Sequence, residues 1–371
     1  MAIARNDTSV LGRWWWTVDR WTLAALMTLA VLGLLMTLSA SPSVAERIGA
    51  DSMHFVRKQA ILLAPAVLAM IGVSLMEPRA VRRLALLMLG GSMLLLVGTL
   101  FLGAEIKGAT RWISIAGFTI QPSEFVKPAF AVIAGWMFAA RRLGEPIPGY
   151  TIACTLYLTV VGLLLLQPDV GQAAVVTAIF GVQFFLAGLP MILVIFMVIG
   201  GIGLLVGAYF VFPHVQSRID RFLDPAAGDT YQIDRARDAF MNGGLFGRGP
   251  GEGTVKAYLP DSHADFVFAV AGEEFGTIAC LIIVAIFAFV VLRGFARVLQ
   301  DNDLFVVVAA TGLLVQFGLQ ALINMASTLS LIPTKGMTLP FLSYGGSSLL
   351  ALGLGMGMLL ALTRKRPGVL S

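Results

Sequence analysis

Asp265 lies in the stretch 259–276, LPDSHADFVFAVAGEEFG, where a long polar segment runs directly into an apolar one. A carboxylate is thereby placed where water meets lipid, and an acid beside a cavity at that boundary holds or moves a proton. On a helix beginning near Ser262, residues Asp265, Ala269, Gly272 and Gly276 would share one face. Beyond the acid that face is small-sided, so it either packs closely against another helix or leaves room in front of Asp265. A plainer reading gives Asp265 only the role of a helix N-terminal charge favoured by the macrodipole.

Other polar groups could share a site with it. Glu124 and Lys127, in QPSEFVK, are three apart and can pair on one helical face. That pair is either structural glue or a place where Lys127 holds an anionic head group. Asp169, in QPDVG, is set among turn residues, which favours a tight-turn role. Arg218, Arg221, Arg235, Arg237 and Arg248 accompany a glycine-rich run at 243–249. Arginines beside flexible backbone can cradle a diphosphate, or simply face water. Lys335 in PTKG precedes SYGGSS with Ser347, whose small residues at a helix start suit either an anionic group or close packing. Of the adjacent Glu273 and Glu274, one is expected to be protonated or paired with a cation. His263 has no second histidine nearby and reads as an interfacial or hydrogen-bonding residue. Cys154 and Cys280 both fall inside apolar runs, against a disulfide or metal site.

The elements that must position these groups are membrane spans. The chain has 371 residues, 58% hydrophobic and only 13% charged, and apolar runs of span length recur throughout. The fold class is therefore all-α, one polytopic integral membrane domain over 1–371, rather than a β-barrel, whose short alternating segments are missing. Ten spans are expected near 21–38, 59–76, 84–103, 122–140, 150–166, 172–187, 191–212, 266–292, 304–324 and 344–362. Residues 1–20 read as an interfacial segment, 213–265 as one long polar loop and 363–371 as a tail. The terminal side collects Arg5, Arg13, Arg20, Arg79, Arg82, Arg83, Arg141, Arg142, Arg293, Arg297, Arg364, Lys365 and Arg366 in short loops and tails. Short-loop bias sets orientation, so both termini are expected in the cytoplasm and the long loop outside. The net charge of +5 is scattered rather than gathered on one face, which argues against nucleic acid as a partner. No internal repeat is visible, which disfavours an inverted-repeat transporter.

Taken in order, QPSEFVK, QPDVGQA, YQI, GGLFGRGPG, LPDSHADFVFAVAGEEFG, NM and PTKGMTLPFLSYGGSSL resemble the SEDS family of bacterial cell-wall polymerases, and its division branch in particular. The resemblance covers nearly the whole chain; Val170 stands where the family often has leucine. It implies an inverting peptidoglycan glycosyltransferase in the bacterial cytoplasmic membrane, at the division septum. The substrate would be lipid II, a disaccharide-pentapeptide on an undecaprenyl pyrophosphate. The partners it implies are a class B penicillin-binding transpeptidase and other divisome proteins. The family's essential acid falls on Asp265, the expected general base. Lys127, Glu124, Arg111, Arg218, Arg248, Lys335 and Ser347 are the expected substrate-binding residues. A divalent cation, magnesium or manganese, could share the charge stabilisation, although no ligand set in the sequence specifies one. Two other readings stand beside it: a lipid II flippase, for which Glu124, Lys127 and Glu273 would line a polar pathway, and a structural scaffold of the division machinery, in which Asp265 would serve assembly and not chemistry.

Overall fold

The computed structural model describes residues 9–365 except 48, 107–108, 116–117, 189 and 225–229, so Arg5 and Arg366 lie outside the described residues. The spans are α2 (Arg20–Arg47), α3 (His54–Ser74), α4 (Pro78–Leu102), α5 (Pro122–Arg142), α6 (Gly149–Leu166), α7 (Val170–Leu186), α8 (Met191–Val211), α11 (Val267–Val298), α12 (Leu304–Thr328) and α13 (Gly346–Leu362). They are preceded by α1 (Val10–Thr17), while α9 (Pro213–Leu223) and α10 (Tyr231–Gly243) occupy the long polar stretch.

Seven of these, α2, α3, α4, α6, α8, α11 and α12, are long and apolar enough to cross a membrane. α7 and α13 are shorter apolar helices of 17 residues each. The charged residues Glu124, Lys127, Arg141 and Arg142 set α5 apart. That helix is tolerated because the bundle covers it almost throughout, Phe130 and Phe138 among its fully buried side chains. α13 lies close along α3: a Cβ on Gly353 would fall 2.3 Å from the Ala66 carbonyl oxygen, and one on Gly357 2.7 Å from that of Met70. Small residues four apart permit this approach, where packing rather than hydrophobicity joins helices.

Three departures from the sequence expectations bear on the site. Before α5 the chain forms an antiparallel meander, β1 (Ala104–Ile106), β2 (Ala109–Ile115) and β3 (Phe118–Ile120), not a plain loop. Asp265 lies in a turn, and the helix begins only at Val267. The reason is that three successive carbonyls are taken elsewhere. His263 O accepts from Tyr344 N at 2.9 Å, Ala264 O from Ser343 Oγ at 2.5 Å, and Asp265 O from Asn324 Nδ2 at 2.9 Å. None is left for a helical ladder.

The third departure is a break in α11 at Gly276, with φ 78° and ψ 178°, giving a half-helix over 267–275. Backbone groups freed at membrane depth need internal partners. The 243–249 run supplies them: Arg248 N and Gly249 N donate to Glu273 O and Glu274 O, both at 3.0 Å. In return Thr277 N donates to Gly244 O at 2.9 Å. Gly272 and Gly276 thus serve close packing rather than an open space before Asp265. The glycine-rich run is occupied with the broken helix rather than arranged as a phosphate cradle.

At the terminal end, Asp19 takes both Arg293 at 2.8 Å and Arg297 at 2.9 Å, while Lys365 N donates to Thr17 O at 3.1 Å. The two ends of the chain are thereby fastened beside the far end of α11.

Candidate active site

At the opposite end, residues 329–345 run without regular structure between α12 and α13, yet Met337, Leu339, Phe341, Leu342 and Ser343 are buried. Their backbone is satisfied by side-chain amides. Gln320 Nε2 donates to Thr338 O at 3.1 Å, Asn324 Nδ2 to Met337 O at 2.6 Å, and Gln59 Nε2 to Ser343 O at 3.3 Å. Gln320 and Asn324 are one turn apart on α12, so one helical edge aligns both this segment and the Asp265 turn. The two irregular pieces meet at Gly336, where an added Cβ would stand 2.9 Å from Asp265 Oδ2.

The residue beside Gly336 is Lys335, and its ammonium enters a group of charges around Asp169. Asp169 caps α7, Oδ1 accepting from Gln172 N at 3.4 Å. Lys335 Nζ lies 3.8 Å from Asp169 Oδ1, and Arg111 Nε 3.8 Å from Oδ2. These are ion-pair separations without hydrogen bonds. Among the described residues, Lys335 Nζ, Arg111 Nε and Asp169 Oδ2 are all buried without a hydrogen-bond partner. Arg111 is presented by β2 and also donates to Pro168 O. Lys335 reaches the cluster because residue 171 has no side chain: a Cβ there would overlap Nζ at 0.7 Å. Arg218 of α9 is near enough to feel the charges of Arg111, Asp265 and Asp169. Burial lowers the Lys335 ammonium to about 8, with Asp169 opposing that shift and Arg111, Arg218 and Lys127 adding to it.

Beneath this lies a second, closed cluster. Lys127 Nζ donates to Glu124 Oε2 at 2.9 Å and Gln320 Oε1 at 3.0 Å, while Gln172 Nε2 donates to Glu124 Oε1 at 2.6 Å. Lys127 is fully buried and Glu124 is 5% exposed.

Asp265, Lys335, Arg111, Arg218, Lys127 and Glu124 are therefore brought to one region. One other expected residue is not. Arg248 is exposed, with Nε donating to Asn242 O at 2.7 Å, beside the broken helix. Ser347 Oγ accepts from Gln121 N at 3.0 Å and so ties α13 to the start of α5. Glu274 is paired with a cation, Lys256, as one of the two adjacent acids was expected to be. His263 packs against Phe55 and Tyr344, ring centroids 4.4 and 5.3 Å away, and burial pushes it down to about 4.

Sequence reasoning passed over Gln320 and gave no role to Asn324 and Gln172, although both stand in motifs that carried the resemblance. Uncharged amides inside apolar spans are a signal that could have found them, since each must be satisfied without water. Among the described residues no group of three or more His, Cys, Asp or Glu side chains comes together to hold a metal. Lys335 and Arg111 bring positive charge to the site from the protein's own side chains.

A family model described as a cell cycle protein, covering FtsW, RodA and SpoVE, matches residues 20–367. The chain is 50% identical over 370 residues to a probable peptidoglycan glycosyltransferase FtsW of Caulobacter vibrioides, covering 99% of this chain and 94% of that protein. A protein of the same description from Trichlorobacter lovleyi is 35% identical over 91% of each chain. Among solved structures, a chain from a peptidoglycan synthase complex that coordinates polymerization and crosslinking superposes with a TM-score of 0.77 at 27% identity, covering 93% of this chain and 97% of that one. The rod shape determining protein RodA of Thermus thermophilus gives 0.70 at 28% identity over 94% and 97%.

Proposed function

The chain belongs to the FtsW/RodA/SpoVE family of cell cycle proteins and is a peptidoglycan glycosyltransferase, and from that premise we propose how its residues divide the work. Asp265 is the general base that takes the proton from the acceptor sugar hydroxyl. Lys335, Arg111 and Arg218 receive the lipid-linked diphosphate of the donor, lipid II. Lys127, with Glu124, closes the floor beneath them and adds its charge to the same field.

The reading rests on one juxtaposition. Gly336 lies against the Asp265 carboxylate, and its neighbour Lys335 carries an ammonium with no hydrogen-bond partner into the Asp169 cluster. A base and an anion cradle are thus held by adjacent residues of one segment. In the reaction the acceptor oxygen bonds to the donor anomeric carbon as the bond from that carbon to the diphosphate breaks. The hydroxyl proton passes to Asp265, and the electron pair leaves on the diphosphate, whose charge the cations stabilise. Direct displacement inverts the α-linked donor to a β-linkage without a glycosyl-enzyme intermediate.

All these groups sit at the end of the bundle opposite the termini, which favours a polymerase over a flippase needing charges reachable from both sides. We place that end outside the cytoplasmic membrane, at the division septum, with a class B penicillin-binding transpeptidase as the cross-linking partner. The test is to incubate the purified protein and such a partner with lipid II in detergent and run the product on a gel. Glycan polymer from the wild type and none from Asp265→Asn supports the assignment. Polymer from both would remove Asp265 as the base.

A further inference from the structure

Three buried ionisable groups near Asp265 take no part in the chemistry above: Glu273, Glu274 and Lys256. Glu273 is fully buried, yet its carboxylate is richly bonded. Oε1 accepts from Val255 N at 2.7 Å and Asn242 Nδ2 at 2.8 Å, and Oε2 accepts from Lys256 N at 2.8 Å. Charge-assisted bonds of this kind are the strong ones. Val255 and Lys256 open a 3-10 turn, Val255–Tyr258, that leads into the Asp265 turn, whereas Glu273 lies on the half-helix that leaves it. The carboxylate thus joins the entry and the exit of one loop, across separations of 18 and 17 residues, with Asp265 between them. The neighbouring acid fastens this loop to the bundle. Glu274 takes Lys256 Nζ and the Ser39 hydroxyl of α2, and Lys256 Nζ also donates to Ser39 O at 3.1 Å.

We infer that Glu273 is a positioning residue for the reaction, the clasp that closes the 255–273 loop and fixes where the Asp265 carboxylate stands. The inference rests on Asp265 being the base. A carboxylate is the side chain the geometry needs, because three N–H donors converge on its two oxygens. A glutamine of the same shape would turn its own NH2 toward a donor. Opening the clasp leaves the anion cradle intact, since that is built from β2, α9 and the segment 329–345. Turnover should therefore fall while substrate binding is kept. An ångström of misplacement at a catalytic group costs on the order of 100-fold.

The test uses the full-length protein with its transpeptidase partner and lipid II, comparing Glu273→Gln, Asn242→Ala and Asp265→Asn. Glu273→Gln is expected to lower kcat by about tenfold or more with KM within about twofold of wild type. Asn242→Ala, removing one donor of three, should give a smaller fall in the same parameter. Hydrogen–deuterium exchange should quicken at residues 255–266 in Glu273→Gln and stay unchanged along α5 and α12. A wild-type kcat in Glu273→Gln, with Asp265→Asn dead, would overturn the clasp alone. So would a loss confined to KM, or exchange quickened throughout the bundle. Polymer from Asp265→Asn would instead remove the base reading, and the clasp with it.

Discussion

The two charge clusters at the site end are made of similar residues and behave differently. In the lower one, Lys127, Glu124, Gln172 and Gln320 meet at 2.6–3.0 Å, and the ammonium and both carboxylate oxygens are bonded. In the upper one, Lys335 and Arg111 stand 3.8 Å from Asp169 and leave buried donors unmatched. Buried polar atoms in native proteins are nearly always satisfied, so an unsatisfied set calls for an explanation. The lower cluster leaves Gln172 Oε1 without a partner but no charged atom, and bonded charges of that kind rigidify their surroundings, whereas unmatched buried cations are ready for an anion. The difference supports our proposal that the lower cluster braces the site and the upper one receives the substrate.

Five experiments would break or sharpen that contrast, beyond those on the loop clasp. The largest effect belongs to Asp265, the base we propose: Asp265→Asn should cost about 10²–10⁴-fold in kcat, measured as polymer formed per unit time, in a protein that still folds. In the closed cluster, Lys127→Met removes one partner of a buried pair and leaves Glu124 uncompensated. It should destabilise the protein by about 3–5 kcal/mol, read as a fall in melting temperature in detergent. In the open cluster, Lys335→Met should barely move the melting temperature while raising KM for lipid II about tenfold. If Lys335→Met melts the protein and Lys127→Met does not, the two roles are exchanged.

The smallest effects are in pH. The Lys335 ammonium is present below about 8 and lost above it, so KM should rise as pH climbs through that value. Lys335→Arg, which does not titrate there, should abolish the rise. At the acid end His263 falls to about 4 against an ordinary value of 6.5. Its unfolded form binds the proton first, so stability is full above about 6.5 and declines as pH drops toward 4. His263→Gln should flatten that part of the melting-temperature profile.

Much of the architecture was legible. Ten apolar runs gave ten helices, with ends shifted by up to nine residues, because hydrophobic length is a local property of the chain. Pro122 at the start of α5 and the Glu124–Lys127 pair were readable for the same reason: helical spacing alone sets them on one face. The break at Gly276 was hidden, since a glycine in an apolar run reads equally as a packing residue. It depends on the 243–249 segment arriving to accept and donate at the exposed backbone. The position of Asp265 in a turn was hidden too, since its cause is Tyr344, Ser343 and Asn324, residues 59 to 79 positions away in the chain.

By itself the sequence determined that this is a multi-span membrane protein with an acid at the boundary of a polar loop, and through its ordered motifs it pointed to the family. Composition and periodicity carry that much because each span must satisfy its own backbone in lipid. Only the tertiary structure decided which charges stay open. Whether Lys127 or Lys335 finds hydrogen-bond partners depends on Gln320, Gln172 and Asp169 arriving from other helices, and on residue 171 lacking a side chain. Electrostatic satisfaction is a property of three-dimensional neighbours, to which spacing along the chain is blind.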